Sequence, residues 1–233
     1  MTQSWGFLTN HALVLVYVVR NSESTVRDIS EGVGVTERAA LAILRVLDDE
    51  GIVNRHKAGR RNTYSVNFEQ LAAYRREGTA SLTPREFIDG LIKTLLAISD
   101  YKGPSTNGHA SEMIDSGALE PRMGQWGLFT NHALILLAIA FDSTSTVREL
   151  ATSVGITERA VVAILNQLED EGIIVRHREG RRNSYVIDFE SLRTFPRWSL
   201  GDWRLPDPLI DMATNGLREL AARTGSQPHD DAG

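Results

Sequence analysis

Apolar residues near the start of the chain recur at helical spacing. Residues 10–20 are apolar at most positions, and either Thr9 or Asn10 is a competent N-cap, so this stretch predicts a first helix buried on most sides. Thr25 and Asp28 have the spacing of a capping box and predict the start of a short second helix. Three apolar residues at helical spacing give that helix one narrow buried stripe.

A longer third helix is predicted between Thr36, a competent N-cap, and Gly51, which ends it. Gly32 and Gly34 mark the end of the preceding helix. The apolar residues of the third helix at helical spacing predict its buried face: Ala39, Ala42, Ile43, Val46 and Leu47. The remaining positions are then expected to face outward.

Beyond Gly51 the apolar spacing changes from the helical period to the period of about 2 that strands show. Residues 52–57 and 63–68 are rich in Val, Ile, Tyr and Phe and predict two short strands. Residues 58–62 contain a glycine and predict the tip of a hairpin.

The whole pattern occurs twice in the chain. Residues 5–71 align without a gap on residues 126–192, which lie 121 positions later, and 37 of the 67 aligned pairs are identical. Such a duplication predicts two domains of one fold rather than a single large domain.

Each repeat is followed by one more predicted helix, because residues 84–99 and 207–223 are amphipathic and resemble each other. The residues between the repeats are rich in Gly, Ser and Pro, as is typical of a linker. The fold class is therefore mainly α with small β-hairpins (α+β). The predicted organisation is domain 1 at 1–100, a linker at 101–124, domain 2 at 125–225 and a disordered tail at 226–233.

Composition excludes several classes of protein. Because none of the 233 residues is cysteine, disulfides and thiolate metal sites are excluded, and a reducing compartment is indicated. The chain has no apolar run near the ~18 residues of a membrane span, and its start lacks the basic region of a signal peptide. We therefore expect a cytoplasmic protein with no membrane partner.

Charge is distributed unevenly along the chain. The net charge of −5 by itself argues against a polyanionic partner. The predicted hairpins are basic, however: residues 51–64 carry four cations and no acid, and residues 172–185 carry four cations and one acid. This local excess is a better guide to the partner than the total charge.

Helix, short helix, three-residue turn, longer helix and basic hairpin, in this order, resemble the winged helix-turn-helix domain of small MarR/ArsR-like regulators. The resemblance covers both repeats and is carried by TVRDISEGVGVTERAALAIL with GIVNRHKAGRRNTY, and by TVRELATSVGITERAVVAIL with GIIVRHREGRRNSY. It implies a transcriptional regulator, associated with the nucleoid, that binds double-stranded DNA sequence-specifically. The third helix of each repeat would then lie in the major groove.

The outward faces of the two third helices supply the candidate base-reading residues. We expect Arg38 and Arg159 to bind guanine or phosphate, Ala40 and Val161 to meet thymine methyl groups, and Asn166 to pair with adenine. We expect the threonines of this set to cap their helices, with phosphate contact as the alternative, and its glutamates to complement the helix dipole, with acceptance from cytosine N4 as the alternative. The full set is Thr36, Glu37, Arg38, Ala40, Leu41, Arg45, Thr157, Glu158, Arg159, Val161, Val162 and Asn166.

The hairpins, or wings, supply the second group of candidate DNA-binding residues. Two adjacent arginines at each predicted tip are not needed by any core, and arginine is attracted by the negative potential of a narrow minor groove. The full set is Arg55, Lys57, Arg60, Arg61, Asn62, Arg176, Arg178, Arg181, Arg182 and Asn183.

Duplication gives a single chain the two DNA-binding units that a symmetric dimer would have. We expect tandem winged domains that form an intramolecular pseudo-dimer and read a pseudo-palindromic site, with the terminal helices at 84–99 and 207–223 along the seam. The outward positions 41/162 and 45/166 differ between the repeats, which predicts unequal half-sites. Further homodimerisation of the whole chain stays open.

Other functions find less support in the sequence. No nucleophile, phosphate-binding or metalloprotease motif is present, so we expect neither an enzyme nor a cofactor. His11 and His132 lack metal-ligand spacing and are interpreted as structural residues. Trp198, which lies after the second repeat, is expected to pack that domain on the first or to line a small-molecule pocket. The alternative function, which the acidic net charge favours, is a tandem winged-helix scaffold that binds protein in a chromosome-organising complex. An effector ligand, if one exists, is not identified by the sequence.

Overall fold

The computed structural model describes residues 6–22, 24–58, 61–73, 85–99, 127–179, 182–200 and 203–224. The predicted linker and the predicted tail lie outside these residues, so the domain boundaries stay predictions. The described elements are mainly helices with short antiparallel strand pairs, which agrees with the predicted fold class. Within these ranges, no helix has the length and apolar character needed to cross a membrane.

The first repeat contains three helices, a hairpin and two further helices. They are α1 (Asn10–Arg20), α2 (Val26–Val33), α3 (Glu37–Asp49), β1 (Val53–Ala58), β2 (Arg61–Val66), α4 (Phe68–Ala73) and α5 (Arg85–Ser99). The three predicted helices and the hairpin are confirmed. Helix α4, which follows the hairpin directly, has no counterpart in the sequence-based prediction.

The second repeat has the same order of elements. They are α6 (Asn131–Phe141), α7 (Val147–Val154), α8 (Glu158–Asp170), β3 (Ile174–Glu179), β4 (Arg182–Ile187), α9 (Phe189–Arg193) and α10 (Asp207–Arg223). A 3-10 turn (Pro196–Trp198) and a two-residue strand pair, β5 (Ser199–Leu200) with β6 (Trp203–Arg204), lie between α9 and α10.

Local capping explains where the short second helices begin and end. The Thr25 hydroxyl accepts from the Asp28 N–H, and the Asp28 carboxylate accepts from the Thr25 N–H, so the predicted capping box is present. Gly34, with φ of 73°, ends α2 in the left-handed conformation that glycine adopts without strain. Helix α7 has the same two devices, a Thr146 capping box and Gly155 at its end.

Helices α3 and α8 are rotated relative to the predicted register. Their buried residues are Ala40, Ile43, Leu44 and Leu47 in α3, and Val161, Ile164, Leu165 and Leu168 in α8. Ala42, which was predicted to be buried, is exposed, as is its equivalent Ala163. The observed register removes Leu44 and Leu165 from water, which stabilises the fold more than burying an alanine would.

Each hairpin pairs further toward its tip than the sequence predicted. Strands β1 and β2 pair from Val53↔Val66 to Ala58↔Arg61, and β3 and β4 pair from Ile174↔Ile187 to Glu179↔Arg182. The prediction of a five-residue tip at 58–62 is therefore wrong, because residues 58, 61 and 62 lie in strands. Continued pairing satisfies backbone donors and acceptors that an open loop would leave to water.

Two reciprocal backbone hydrogen bonds join the two repeats. The Thr9 N–H donates to the Leu128 carbonyl at 3.0 Å, and the equivalent Thr130 N–H donates to the Phe7 carbonyl at 3.1 Å. Both donors and both acceptors are repeat equivalents, so the two segments are related by a local twofold axis.

Side-chain hydrogen bonds reinforce this contact between the repeats. The Thr9 hydroxyl donates to the Gly127 carbonyl at 2.5 Å, and the Thr130 hydroxyl donates to the Gly6 carbonyl at 2.6 Å. The same two hydroxyls also accept from the first turns of α1 and α6, so each threonine caps a helix and ties it to the other repeat.

Helices α5 and α10 pack against each other across the same junction, α5 also against α1, and α10 also against α6. Leu91 and Leu95 of α5 and Ala213 and Leu217 of α10 are buried. A Cβ on Gly90 would lie 3.6 Å from Met212 Cγ, an ordinary contact distance, so the two helices approach closely at this place. The four helices form one apolar core shared by both repeats.

Trp198 also connects the second repeat to the first. Its ring lies 5.3 Å from the Phe7 ring, and its Nε1 donates to the Leu192 carbonyl at 2.6 Å. The cavity beside Trp198 has a volume of about 10 Å³, which is roughly enough for one water molecule and too small for a larger ligand. Trp198 therefore has the packing role that was predicted for it.

One core contact differs between the repeats in a compensated way. Gly32 lies inside α2 rather than ending it, and a Cβ at this position would overlap the Tyr17 ring. In the second repeat the equivalent residues are Ser153 and Ala138, so a larger helix residue faces a smaller partner.

The substitution Gly32→Ser should lower the free energy of unfolding by about 1–3 kcal/mol, because the added atoms overlap the Tyr17 ring. Tyr17→Ala should lower the free energy of unfolding by less in the Gly32→Ser variant than in the unsubstituted chain. Urea unfolding of the four proteins measures this coupling. Strictly additive losses would contradict the contact, and Ser153→Gly serves as the matched control, with a loss below about 1 kcal/mol.

Thr130→Ala should destabilise the chain more than Thr157→Ala does. Both substitutions remove an N-cap, worth about 1 kcal/mol, but only the first removes a hydrogen bond to the other repeat, worth about 1 kcal/mol more. Urea unfolding of the two variants checks the difference. Equal losses would mean that the contact between the repeats adds no stability.

Candidate nucleic-acid interface

The second and third helices of each repeat meet at a three-residue turn. In the first repeat residues 34–36 separate α2 from α3, and in the second residues 155–157 separate α7 from α8. The glycine that begins each turn has positive φ, which reverses the chain and positions the third helix across the second. This is the geometry of a helix-turn-helix.

The exposed face of the third helix carries most of the predicted base-reading residues. In α3, Arg38, Ala42 and Arg45 are exposed and Leu41 is half-buried. The exposed residues at the same positions of α8 are Arg159, Val162, Ala163 and Asn166. Ala42 and Ala163 are small and central in each face, and they were missed because the sequence pattern placed Ala42 in the core.

Ala40 and Val161 do not belong to this face. Both are fully buried at 0% exposure, so the expectation that they meet thymine methyl groups is wrong. They point into the core because α3 and α8 are rotated by about one position from the predicted register. Val162, which is 43% exposed, is the apolar side chain that this part of the second repeat offers instead.

The first turns of these helices are organised by capping. The Thr36 hydroxyl accepts from the Ala39 N–H at 3.1 Å, and the Thr157 hydroxyl accepts from the Ala160 N–H at 3.2 Å. The predicted N-cap role of both threonines is therefore confirmed. The glutamates that follow them, at positions 37 and 158, are exposed in the first turn, where a negative charge favours the helix dipole.

The wings present a row of cations beside the helices. Arg55, Lys57, Arg178 and Arg182 are exposed. Arg60 and Arg181 lie outside the described residues, and for Arg61 the backbone alone is described, in strand β2. Asn62 and Asn183 are half-buried and pair with positions 57 and 178 in the hairpin registers.

Arg176 has a different environment from the other wing cations. Its Nη2 donates to Asn166 Oδ1 at 3.1 Å and lies 3.3 Å from Glu169 Oε2, and its guanidinium stacks 5.8 Å from the centre of the Tyr185 ring. These contacts join the base of the wing to α8, so the exposed faces of the helix and the hairpin adjoin. They also bring together two predicted site residues, Asn166 and Arg176.

The first turns of α1 and α6 contain the histidines that were interpreted as structural. Burial lowers the pKa of His11 to about 4 and that of His132 to about 4 from the ordinary 6.5, and His132 Nε2 lies 3.1 Å from Gln167 Oε1. His132 thus contacts the inner side of α8. In the part of the chain that the structure describes, no cluster of three or more His, Cys, Asp or Glu has metal-binding geometry.

Comparison with known proteins supports the same class. Residues 130–175 match the family model for winged helix-turn-helix DNA-binding domains, a stretch that runs from the N-cap of α6 to the start of β3. No curated protein and no solved structure matches the chain. Together with the geometry, this match identifies a winged helix-turn-helix of the DNA-binding class in the second repeat.

Stability should fall as the pH decreases from 7.5 to 5.5. The unfolded histidines take up protons near pH 6.5, whereas the folded ones, with pKa values of about 4, do not, so protonation favours the unfolded chain in this window. Urea unfolding at the two pH values measures the change. The double variant His11→Gln, His132→Gln should lose most of this pH dependence; an unchanged dependence would contradict the assignment.

Proposed function

We propose that the chain is a sequence-specific double-stranded DNA-binding protein and a transcriptional regulator of MarR/ArsR-like type. The observation that carries this proposal is the joint face formed by the third helix and the basic wing. On that face exposed arginines lie beside the helix-turn-helix although the net charge of the whole chain is −5. Concentrating cations there favours phosphate contacts and steers DNA to one side of the molecule.

The proposed DNA contacts follow the geometry of winged helix-turn-helix domains. Helices α3 and α8 enter the major groove, where Arg38 and Arg159 bind guanine or phosphate. The wings lie along the backbone, and the arginines at their tips enter the minor groove. The small side chains of Ala42 and Ala163 allow these helices to approach the base edges closely.

Two repeats in one chain are proposed to act as a pseudo-dimer that reads a pseudo-palindromic site. The reciprocal hydrogen bonds of Thr9 and Thr130 and the packing of α5 on α10 support this arrangement, because repeat equivalents meet across a local twofold axis. Such an axis matches the symmetry of paired half-sites. Unequal residues at positions 45 and 166 favour half-sites that are alike but not identical.

The proposal includes a cytoplasmic, nucleoid-associated location and a non-enzymatic role without a cofactor. A small-molecule effector and a homodimer of the whole chain are compatible with it, but neither is required by any contact described above.

A protein-binding scaffold of a chromosome-organising complex is the second candidate function. The acidic net charge of −5 favours it, as do the exposed Val162 and Val175 on the face of the second repeat. DNA binding has the stronger support, because a protein-binding surface does not require basic wings in both repeats.

Duplex binding should weaken steeply as the salt concentration rises, because phosphate contacts release counterions. The fourfold variant Arg60→Ala, Arg61→Ala, Arg181→Ala, Arg182→Ala should bind all sequences less tightly. The slope of log K against log salt, which is negative, should become less steep by about 3–4. Fluorescence anisotropy with labelled duplexes measures both quantities.

Two exposed cations away from the wings, Lys93 and Arg223, provide the matched control. Their replacement by alanine should leave the salt slope unchanged. An unsubstituted chain that binds no duplex at low salt would exclude the regulator and favour the scaffold. Selection of bound sequences from a random pool should recover two related, unequal half-sites; a perfect palindrome would contradict the predicted asymmetry.

A further inference from the structure

The two surfaces proposed to face DNA differ where the wing meets the third helix. At this place the first repeat has Arg45 on the helix and Arg55 on the wing, whereas the second has Asn166 and Arg176. The wing arginine is thus kept in both repeats, while its neighbour on the helix changes from a cation to an amide.

The Arg176 guanidinium makes its contacts within the second repeat. Its side chain is only 27% exposed, and the guanidinium binds Asn166 and Glu169 while it stacks on Tyr185. The carboxylate at 3.3 Å offsets its charge. A cation held in this way contributes little to phosphate binding.

Arg45 and Arg55 lack the hydrogen bond and the ion pair that Arg176 makes, although Arg55 lies opposite Tyr64 in the hairpin. Both are exposed, and within the described residues neither side chain has a hydrogen bond or an ion pair. Asp48, which replaces Glu169 in the first repeat, is one methylene shorter. Two exposed cations without an ion pair within the described residues therefore lie at the place where the second repeat presents an amide.

Asn166 presents a defined hydrogen-bonding group because Arg176 orients it. Its Oδ1 accepts from Arg176, so the amide nitrogen, a donor, is the atom turned away from the guanidinium. Val162 lies one helical turn earlier on the same exposed face. A donor beside an exposed valine suits an A·T pair, which offers acceptor atoms and a methyl group in the major groove.

We propose that the two repeats divide the work of DNA binding. Arg45 and Arg55 bind phosphates and give the first repeat most of the electrostatic affinity at this place. Arg176 does not touch DNA; it is a positioning residue that orients the Asn166 amide toward the bases of the second half-site. This inference rests on the proposed DNA-binding function.

The test compares Arg55→Gln with Arg176→Gln, which remove the same charge from equivalent positions. Arg55→Gln should make the negative slope of log K against log salt less steep by about 1 and weaken binding to all sequences alike. Arg176→Gln should leave the slope unchanged and relax base preference at one position of one half-site. Anisotropy titrations and selection from a random pool provide the two readouts.

Further variants separate a positioning role from a structural one. Asn166→Ala should relax preference at the same position as Arg176→Gln, and the double variant should relax it no further, because the two residues act as a unit. Asn166→Arg, which copies the first repeat, should make the slope of log K against log salt steeper by about 1. Asn166→Ala leaves Arg176 in place, so it tests the idea even where Arg176→Gln lowers the thermal unfolding midpoint.

A fall of about 1 in the salt slope of Arg176→Gln, with equal weakening of all sequences, would overturn the division of work while leaving the regulator intact. The same conclusion follows from Asn166→Ala with unchanged base preference. Absence of duplex binding by the unsubstituted chain would overturn both this inference and the proposed function.

Discussion

The arrangement of the whole molecule depends on the paired hydrogen bonds between residues 6–9 and 127–130. Because Thr9 and Thr130 each cap the helix that follows and bind the backbone of the other repeat, the start of α1 and the start of α6 share one anchor. Those helices carry the core on which α3 and α8 are packed, so the orientation of the two third helices depends on a contact of four residues on each side. The apolar packing of α5 on α10 and of Trp198 on Phe7 then buries the junction from water.

Charge and burial separate cleanly in this chain. Apolar residues form one core that runs through both repeats, while most of the α3, α8 and hairpin arginines whose side chains are described remain exposed. Arg176 departs from this pattern: it is half-buried against Tyr185 and paired with Glu169, which makes it part of the frame of the second repeat. A count of basic residues along the chain cannot distinguish such an arginine from its exposed equivalent, Arg55.

The amino-acid pattern was enough to predict the first three helices and the terminal helix of each repeat, the Thr25 capping box and both hairpins, because caps, glycines and periodicity are local signals. It did not predict the short helices α4 and α9. It was not enough for the register of α3, since two apolar faces at helical spacing overlap there and differ by one position. The repeats contain the missing signal: the predicted core position 46 is Val in one copy and Gln in the other, whereas 44 and 165 are both Leu. Likewise, nothing local shows that Arg176 binds Asn166 ten residues earlier, because that contact exists only once β3 lies against α8.

The meeting of Gly90 with Met212 has a consequence for assembly between chains. In a dimer of identical subunits, a residue near the twofold axis faces its own copy, so a glycine meets a glycine and a methionine meets a methionine. Here a small residue on α5 accepts a large one on α10. Two first repeats brought together through this surface would place two glycines at this position, and two second repeats would place two methionines there. The contact between a glycine and a methionine forms only between unlike halves, so at this place each repeat is complementary to the other rather than to a copy of itself.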